Sequence, residues 1–304
     1  MSIVETVFGS IEARPKMEYY PSGVIRACSP QKESPLKTAY GVFIPQYCGD
    51  ELRKRQTPYL TYHENGMINV LPLQEQAEVE IPQGRIPVEK VTFYPDGKLK
   101  RLFPLDGCLS GYWGEEDERG LARPIKLKTP AGELEALIIS IYLSPEGEIR
   151  SLTFWPGETV KISTPVGELS VKTGISYYDS GQLKSVEPEN PVSVETSVGK
   201  ILAYDPDAIG ITGDRNSIKF SEAGELISLK TVSNMFVVKE DTGDIKRVEP
   251  PLKYSPLDGE TLEPSPLTVT FMEGFVCLSA EKMQDVVART ENVTARRYAQ
   301  LFAM

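Results

Sequence analysis

Tyr177-Tyr178-Asp179-Ser180-Gly181-Gln182-Leu183-Lys184-Ser185-Val186-Glu187-Pro188 contains the pattern that decides the fold. An aromatic residue is followed by short polar residues, then glycine, one further residue and an aliphatic. Glycine supplies the positive φ of a tight hairpin turn without a Cβ clash. Asp and Ser just before it preset the turn. The segment therefore reads as two antiparallel strands joined at Gly181.

The pattern recurs along the chain. It appears at Tyr20-Pro-Ser-Gly23-Val-Ile, Tyr62-His-Glu-Asn-Gly66-Met-Ile and Tyr94-Pro-Asp-Gly97-Lys-Leu. It returns at Tyr142-Leu-Ser-Pro-Glu-Gly147-Glu-Ile and Phe220-Ser-Glu-Ala-Gly224-Glu-Leu. A second form carries threonine: Thr6-Val-Phe-Gly9, Thr129-Pro-Ala-Gly132, Thr164-Pro-Val-Gly167 and Thr196-Ser-Val-Gly199, with Gly41 and Gly84 fitting loosely. Gly243 falls in the second series by position, yet residues 241–250 copy 179–188 of the first. The two forms are therefore expected to be variants of one hairpin.

Spacing reveals a larger period. Gly9, Gly23, Gly41 and Gly66 each precede Gly167, Gly181, Gly199 and Gly224 by 158 residues. Thr6 maps onto Thr164, Pro30 onto Pro188 and Thr38 onto Thr196 at the same offset. A long gap of 25 residues, 41 to 66 and 199 to 224, occurs at the same phase in both copies. Fixed-period self-similarity is the signature of repeat architecture. Pro30, Pro72, Pro104, Pro156 and Pro188 follow the aromatic-type glycines and are expected at strand ends or edges, because proline cannot donate to a ladder.

The expected fold is all-β: serial antiparallel hairpins in an extended, solenoid-like or curled sheet, internally duplicated, with a short C-terminal helix. Residues 1–104 form the first half, 105–123 an inserted acidic and aromatic loop, 124–278 the second half and 279–304 a helical tail with Ser279 as N-cap.

The chain has 304 residues, a net charge of −10 and 25% charged residues. An acidic chain repels phosphate backbones and anionic lipid, so neither nucleic acid nor membrane is expected as a partner. The N-terminus lacks a basic segment followed by an apolar core, so no signal peptide is expected. The longest apolar run, Leu137-Ile-Ile-Ser-Ile-Tyr-Leu143, has a strand's length and cannot span a bilayer. Cys28, Cys48, Cys108 and Cys277 form no Cys-x-x-Cys pair and read as free thiols in a reducing compartment. A cytoplasmic location follows by default.

The Tyr-x-x-Gly-x-Leu units at Gly97 and Gly181, and the same unit ending in Ile at Gly23, resemble MORN-type repeats, especially the looser variant in bacterial antitoxin-like proteins. The resemblance covers much of residues 6–250. It implies stacked hairpins and an interaction role. The unit of about 32 residues here is longer than the usual MORN repeat.

Candidate chemistry is sparse. His63 is the only histidine, so any Ser-His-Asp or Cys-His arrangement would have to use it; its place in a turn suggests a solvated residue. Glu115, Glu116, Asp117 and Glu118 follow Tyr112-Trp113 in the inserted loop. They read either as an aromatic platform with acids or as a solvated charge run. Adjacent carboxylates cannot by themselves form the opposed pair of a glycosidase. Asp205, Asp207, Asp214 and Asn216 fit no EF-hand spacing and read as turn residues. No phosphate-cradling glycine motif is present. No catalytic residue, cofactor or metal is expected. The leading expectation is a non-enzymatic scaffold that binds another protein through Tyr112, Trp113 and their acidic neighbours. The alternative is a small-molecule or carbohydrate binder, possibly a hydrolase, using the same loop.

Overall fold

The glycine-marked turns fall into two distinct classes. The computed structural model describes residues 2–298, apart from 51, 55, 209–212, 214, 215, 241 and 257. In the first class, the carbonyls of Tyr20, His63, Tyr94, Ser144, Tyr178, Ser221 and Glu240 accept the N–H of the glycine three residues on. Each of those residues also donates its own N–H to the carbonyl four residues on. Their glycines have φ between 83° and 93°, the left-handed region that closes a three-residue loop with a bulge. Gly243 belongs to this class, with φ 93°.

In the second class, Thr6 pairs directly with Gly9, Thr38 with Gly41, Thr129 with Gly132, Thr164 with Gly167 and Thr196 with Gly199. Only two residues lie between the strands. The threonine hydroxyl donates to the glycine carbonyl and accepts the N–H two residues on, as at Thr6 (2.7 and 3.1 Å) and Thr196 (2.6 and 3.3 Å). The expectation of one hairpin in two variants is therefore corrected. The sequence difference, threonine against aromatic before glycine, records a difference in loop length and hydrogen bonding.

The chain forms two compact units, residues 1–155 and 156–304. In the first, the strands Ser2–Thr6, Gly9–Tyr19, Ile25–Pro30, Leu60–Tyr62, Ile68–Ile81, Gly84–Phe93, Leu99–Phe103, Ile138–Leu143 and Ile149–Phe154 pair antiparallel, each with the next. In the second, Val160–Thr164, Gly167–Tyr177, Leu183–Pro188, Ile218–Phe220, Leu226–Thr231, Leu267–Met272, Phe275–Ser279 and Val286–Arg289 do the same.

The longest strands shift register at bulges. The register of Gly9–Tyr19 shifts between Ala13 and Met17, that of Gly167–Tyr177 between Lys172 and Ile175, and that of Ile68–Ile81 between Pro72 and Ala77. A bulge bends its strand. One half pairs in the meander and the other in a hairpin closed by a two-residue turn. Hairpins with two-residue turns lie over the meander: in the first unit the Tyr40 ring, in the turn between Leu36–Thr38 and Gly41–Phe43, is 6.3 Å from that of Phe93, and Gln83 Nε2, in the turn between Ile81 and Gly84, donates to the Gly147 carbonyl at 3.1 Å. The apolar core sits between, with Ile11, Leu36, Tyr62, Leu71, Ile86 and Leu102 fully buried. Pro30 and Pro188 end strands, Pro104 and Pro156 lie just beyond strands, and Pro72 sits at a bulge, as a missing donor requires.

The duplication is visible bond by bond. Ser2–Thr6, Gly9–Tyr19, Ile25–Pro30 and Leu60–Tyr62 recur as strands 158 residues later. Tyr20 Oη donates to the Tyr62 carbonyl at 2.9 Å, and Tyr178 Oη to the Phe220 carbonyl at 2.8 Å. Gln31 N donates to Glu12 O, and Glu189 N to Ser170 O. Of the adjacent aromatics Tyr19-Tyr20, Phe93-Tyr94 and Tyr177-Tyr178, Phe93 and Tyr177 are buried, while Tyr19 is exposed.

Two expectations change. Residues 105–123 lie inside the first unit, and the strands from Ile125 to Phe154 belong with it rather than with the second half. This segment carries the one α-helix among the described residues, Glu115–Leu121. The C-terminal segment is not helical where it is described. Ser279 ends a strand, Val286–Arg289 and Val293–Arg297 are strands, and only Thr290–Asn292 forms a single 3₁₀ turn. The β-branched Val286, Val287, Val293 and Thr294 suit a pleated surface, and Val293 is buried opposite Val238. Residues 299–304 lie outside the described residues. Among the described residues, no helix is long and apolar enough to cross a membrane.

Neighbouring hairpins explain why one turn must be glycine. A Cβ on Gly84 would come within 2.9 Å of the Lys126 carbonyl, and its φ is +156°. At Gly132 no described residue lies within 4 Å. Gly84→Ala is expected to cost roughly 1–3 kcal/mol in urea denaturation, more than Gly132→Ala. Equal losses at both positions would show that the close approach to Lys126 is unimportant.

Candidate functional site

The inserted segment is fixed from beneath by one arginine. Arg53 lies in the long connection after Gly41–Phe43. Asp50 Oδ1 accepts the N–H groups of Leu52, Arg53 and Lys54, which shapes that connection locally. The guanidinium then reaches two carboxylates. It donates from Nη1 and Nη2 to Glu89 at 3.0 and 2.6 Å, and from Nε and Nη2 to Glu118 at 2.5 Å each.

Glu89 comes from the strand Gly84–Phe93 and Glu118 from the helix, and both are buried. Two bidentate pairs match the planar fork of arginine. Burial opposes the charge on Arg53, but the bonds to Glu118 and Glu89 outweigh it and hold the guanidinium above its ordinary pKa.

A third buried acid, Asp106, completes the cluster. Its N–H donates to Glu89 Oε2 at 3.1 Å, and its Oδ1 accepts the Cys108 N–H at 2.7 Å. Carboxylate oxygens of Glu89, Asp106 and Glu118 all lie within 4.8 Å of one another. The Arg53 guanidinium bridges Glu89 and Glu118, where a cation would otherwise be required. Burial, and secondarily Asp106, pushes the Cys108 thiol up to about 12, which removes it as a nucleophile at neutral pH.

The residues expected to form the site are divided by this arrangement. Trp113 Nε1 donates to Glu118 Oε2 at 2.8 Å, so its ring is tied to the helix. Asp117 Oδ2 accepts the Gly114 N–H at 2.8 Å and caps the helix start. Glu115 and Glu116 are exposed in the first turn, where the helix dipole favours negative charge. Tyr112 is 68% exposed. The four acids therefore do not act together: Glu118 is structural, Asp117 is a cap, and Glu115 and Glu116 face solvent.

His63 is only partly exposed, and its Nε2 lies 3.0 Å from the Phe93 carbonyl. With a carbonyl as acceptor, that nitrogen carries the proton. The ring braces one turn against the next and is not the freely solvated residue expected. Asp205 is buried, pairs with Lys230 Nζ at 2.6 Å and accepts the Asp207 N–H at 2.9 Å. Asp214 lies outside the described residues.

Sequence reasoning missed a buried polar group in the second unit. Glu187 is 1% exposed and accepts the Ser217 N–H at 2.8 Å and its hydroxyl at 2.6 Å. Burial pushes this carboxyl up to about 7, against the two bonds from Ser217. Asn216 Nδ2 donates to Ser185 Oγ and to the Gly213 carbonyl, while Asn216 Oδ1 has no hydrogen-bond partner among the described residues. Ser217 and Glu187 are sealed from solvent, so their pairing offers no reachable nucleophile. The signal was available by comparing the copies: Ala27, Ser29, Pro58 and Tyr59 occupy the positions of Ser185, Glu187, Asn216 and Ser217.

The chain matches no protein-family model, no curated protein and no solved structure.

Proposed function

We propose that this chain is a non-enzymatic, MORN-like hairpin-repeat scaffold that binds another protein through the surface carried by residues 105–121. The observation that carries this reading is an exposed apolar patch on a rigid base. Leu52, Leu109 and Tyr112 are 55, 60 and 68% exposed. They flank the bond from Ser110 Oγ to the Leu52 carbonyl at 2.6 Å. Beneath them, Arg53 ties this connection to the strand and the helix. Exposed aromatics on a preorganised surface are favoured interface anchors.

Charge narrows the partner. Glu115 and Glu116 stand exposed beside the patch. A segment with apolar side chains flanked by Lys or Arg complements it. The same geometry weighs against a glycosidase. Glu118 is held by Arg53 and Trp113, and Glu115 and Glu116 lie in one helical turn, not across a cleft. The unpaired cysteines fit a reducing, cytoplasmic setting.

A photo-crosslinking residue at position 112 is expected to trap a discrete partner. The same residue at Tyr254, which is also exposed (67%), should not. Adding Leu109→Ser should reduce the adduct at least tenfold without changing the melting temperature. Identical adducts from both positions, or none from either, would refute the assignment.

A further inference from the structure

Comparing the two copies reveals a place that is filled in one and open in the other. In the second unit, Tyr204 N donates to the Lys230 carbonyl at 2.9 Å. Beyond that bond the hairpin of Val192–Thr196 and Gly199–Ala203 separates from the strand Asn234–Lys239. The C-terminal strand Val293–Arg297 runs between them. It pairs with 234–238 on one side, and Ala295 N donates to the Val198 carbonyl at 2.8 Å on the other. Asn234 Nδ2 bridges the Lys200 and Arg296 carbonyls.

The first unit begins in the same way. Gln46 N donates to the Pro72 carbonyl at 2.9 Å, both residues being 158 positions earlier than Tyr204 and Lys230. Pro45 bridges Leu73, and Gln74 N donates to the Ile44 carbonyl at 3.0 Å. Beyond Gln74, however, no strand among the described residues pairs between Gly41–Phe43 and 77–81. Among the described residues, 77–81 pair on one side only, with 84–88. A Cβ on Gly199 would touch Ala295 of the seated strand, whereas at Gly41 no described residue lies within 4 Å. No backbone N–H among the described residues reaches the Tyr40 carbonyl, the counterpart of the Val198 carbonyl. Val42 is 59% exposed at this edge.

We propose that this gap is a docking slot for an extended, basic segment of a partner protein, which adds to the free edge of 77–81 as Val293–Arg297 does in the second unit. Main-chain bonds give such strand addition its affinity, and alternate side chains its specificity. The register supports it. Ile81 pairs with Gly84 across a two-residue turn, so Ile81, Val79 and Ala77 bond to 84–88 while the N–H and C=O groups of Glu78 and Glu80 point into the gap. The seated strand of the second unit sets Ala295 opposite Phe236 on the inner face and Arg296 opposite Met235 on the outer. In the first unit the outer positions of the edge carry exposed Glu78 and Glu80. Lys or Arg at the facing positions of an incoming strand complements them. This slot is separate from the Tyr112 surface and does not depend on it.

A labelled peptide copying residues 290–298 tests the proposal on the full chain by fluorescence polarisation. Saturable binding is expected. It should weaken at least tenfold in Glu78→Pro, which removes a gap-facing N–H while sparing the ladder to 84–88. Glu78→Lys with Glu80→Lys should weaken it comparably and more at low salt. This charge reversal decides the matter if the proline variant does not fold. No saturable binding below about 1 mM overturns the proposal. So does undiminished binding in the folded variants. Loss of binding in Met235→Lys instead would place the peptide on the second unit, in exchange with its own strand, and also overturns it.

Discussion

Arg53→Ala is expected to lower the stability of the first unit by about 3–5 kcal/mol, the cost of leaving buried carboxylates without their counter-charge. The Arg53 side chain is only 10% exposed, and it bonds Glu89 and Glu118 through four contacts. Its loss leaves Glu89, Asp106 and Glu118 buried with oxygens within 4.8 Å of one another. Like charges so close and without a counter-ion repel, so the segment 105–121 should detach. Arg53→Lys should recover only part of the loss, because an ammonium cannot form both planar pairs.

Both tryptophans, Trp113 and Trp155, lie in the first unit, so tryptophan fluorescence during urea unfolding reports on that unit alone. A midpoint unchanged in Arg53→Ala would show that the cluster is not what holds the loop. Partner crosslinking through position 112 should fall with it, since a detached loop no longer presents Leu109 and Tyr112 together.

Glu187→Gln is expected to stabilise the second unit above neutral pH. The carboxyl of Glu187 titrates near 7 in the folded chain, against an ordinary value of 4.5, because burial disfavours its charged form. The folded state therefore binds this proton more tightly than the unfolded state. The stability this gives is complete below about pH 4.5 and is lost as pH rises through 7. Glutamine keeps an acceptor for the Ser217 N–H and carries no charge. The variant should gain up to about 3 kcal/mol at pH 8 and nothing near pH 4. Amide hydrogen exchange in Leu183–Pro188 and Ile218–Phe220 reads this locally. A difference of the same size at pH 5 and pH 8 would count against a buried, titrating carboxyl.

Turn positions were legible in the sequence because a tight turn depends on a few local residues. Glycine, the polar residues before it and the constant spacing located the hairpins and the 158-residue period. Turn class was only half legible. The threonine of Thr-x-x-Gly is a visible mark, yet its meaning lies in a hydroxyl that donates to one carbonyl and accepts one N–H. The C-terminal segment misled for a related reason. Ser279-Ala-Glu-Lys-Met-Gln resembles a capped helix locally, but Val293 has a buried place beside Val238 and Arg296 a free edge to pair with. Tertiary pairing outweighs a short helical preference.

The candidate site was the least legible part. The acids at 115–118 and the aromatics beside them were visible as a composition. Arg53 stands 65 residues from Glu118 and 36 from Glu89, and nothing in its own neighbourhood marks it as their counter-ion. By itself, then, the sequence determined a duplicated all-β chain of glycine-turned hairpins, because backbone conformation at turns and alternation along strands are local properties. Only the tertiary structure decided which acids are buried, which arginine neutralises them, and which copy of the repeat has a strand in its gap. Burial, ion pairing and sheet edges are set by residues far apart in the chain, and their chemistry exists only once the fold brings them together.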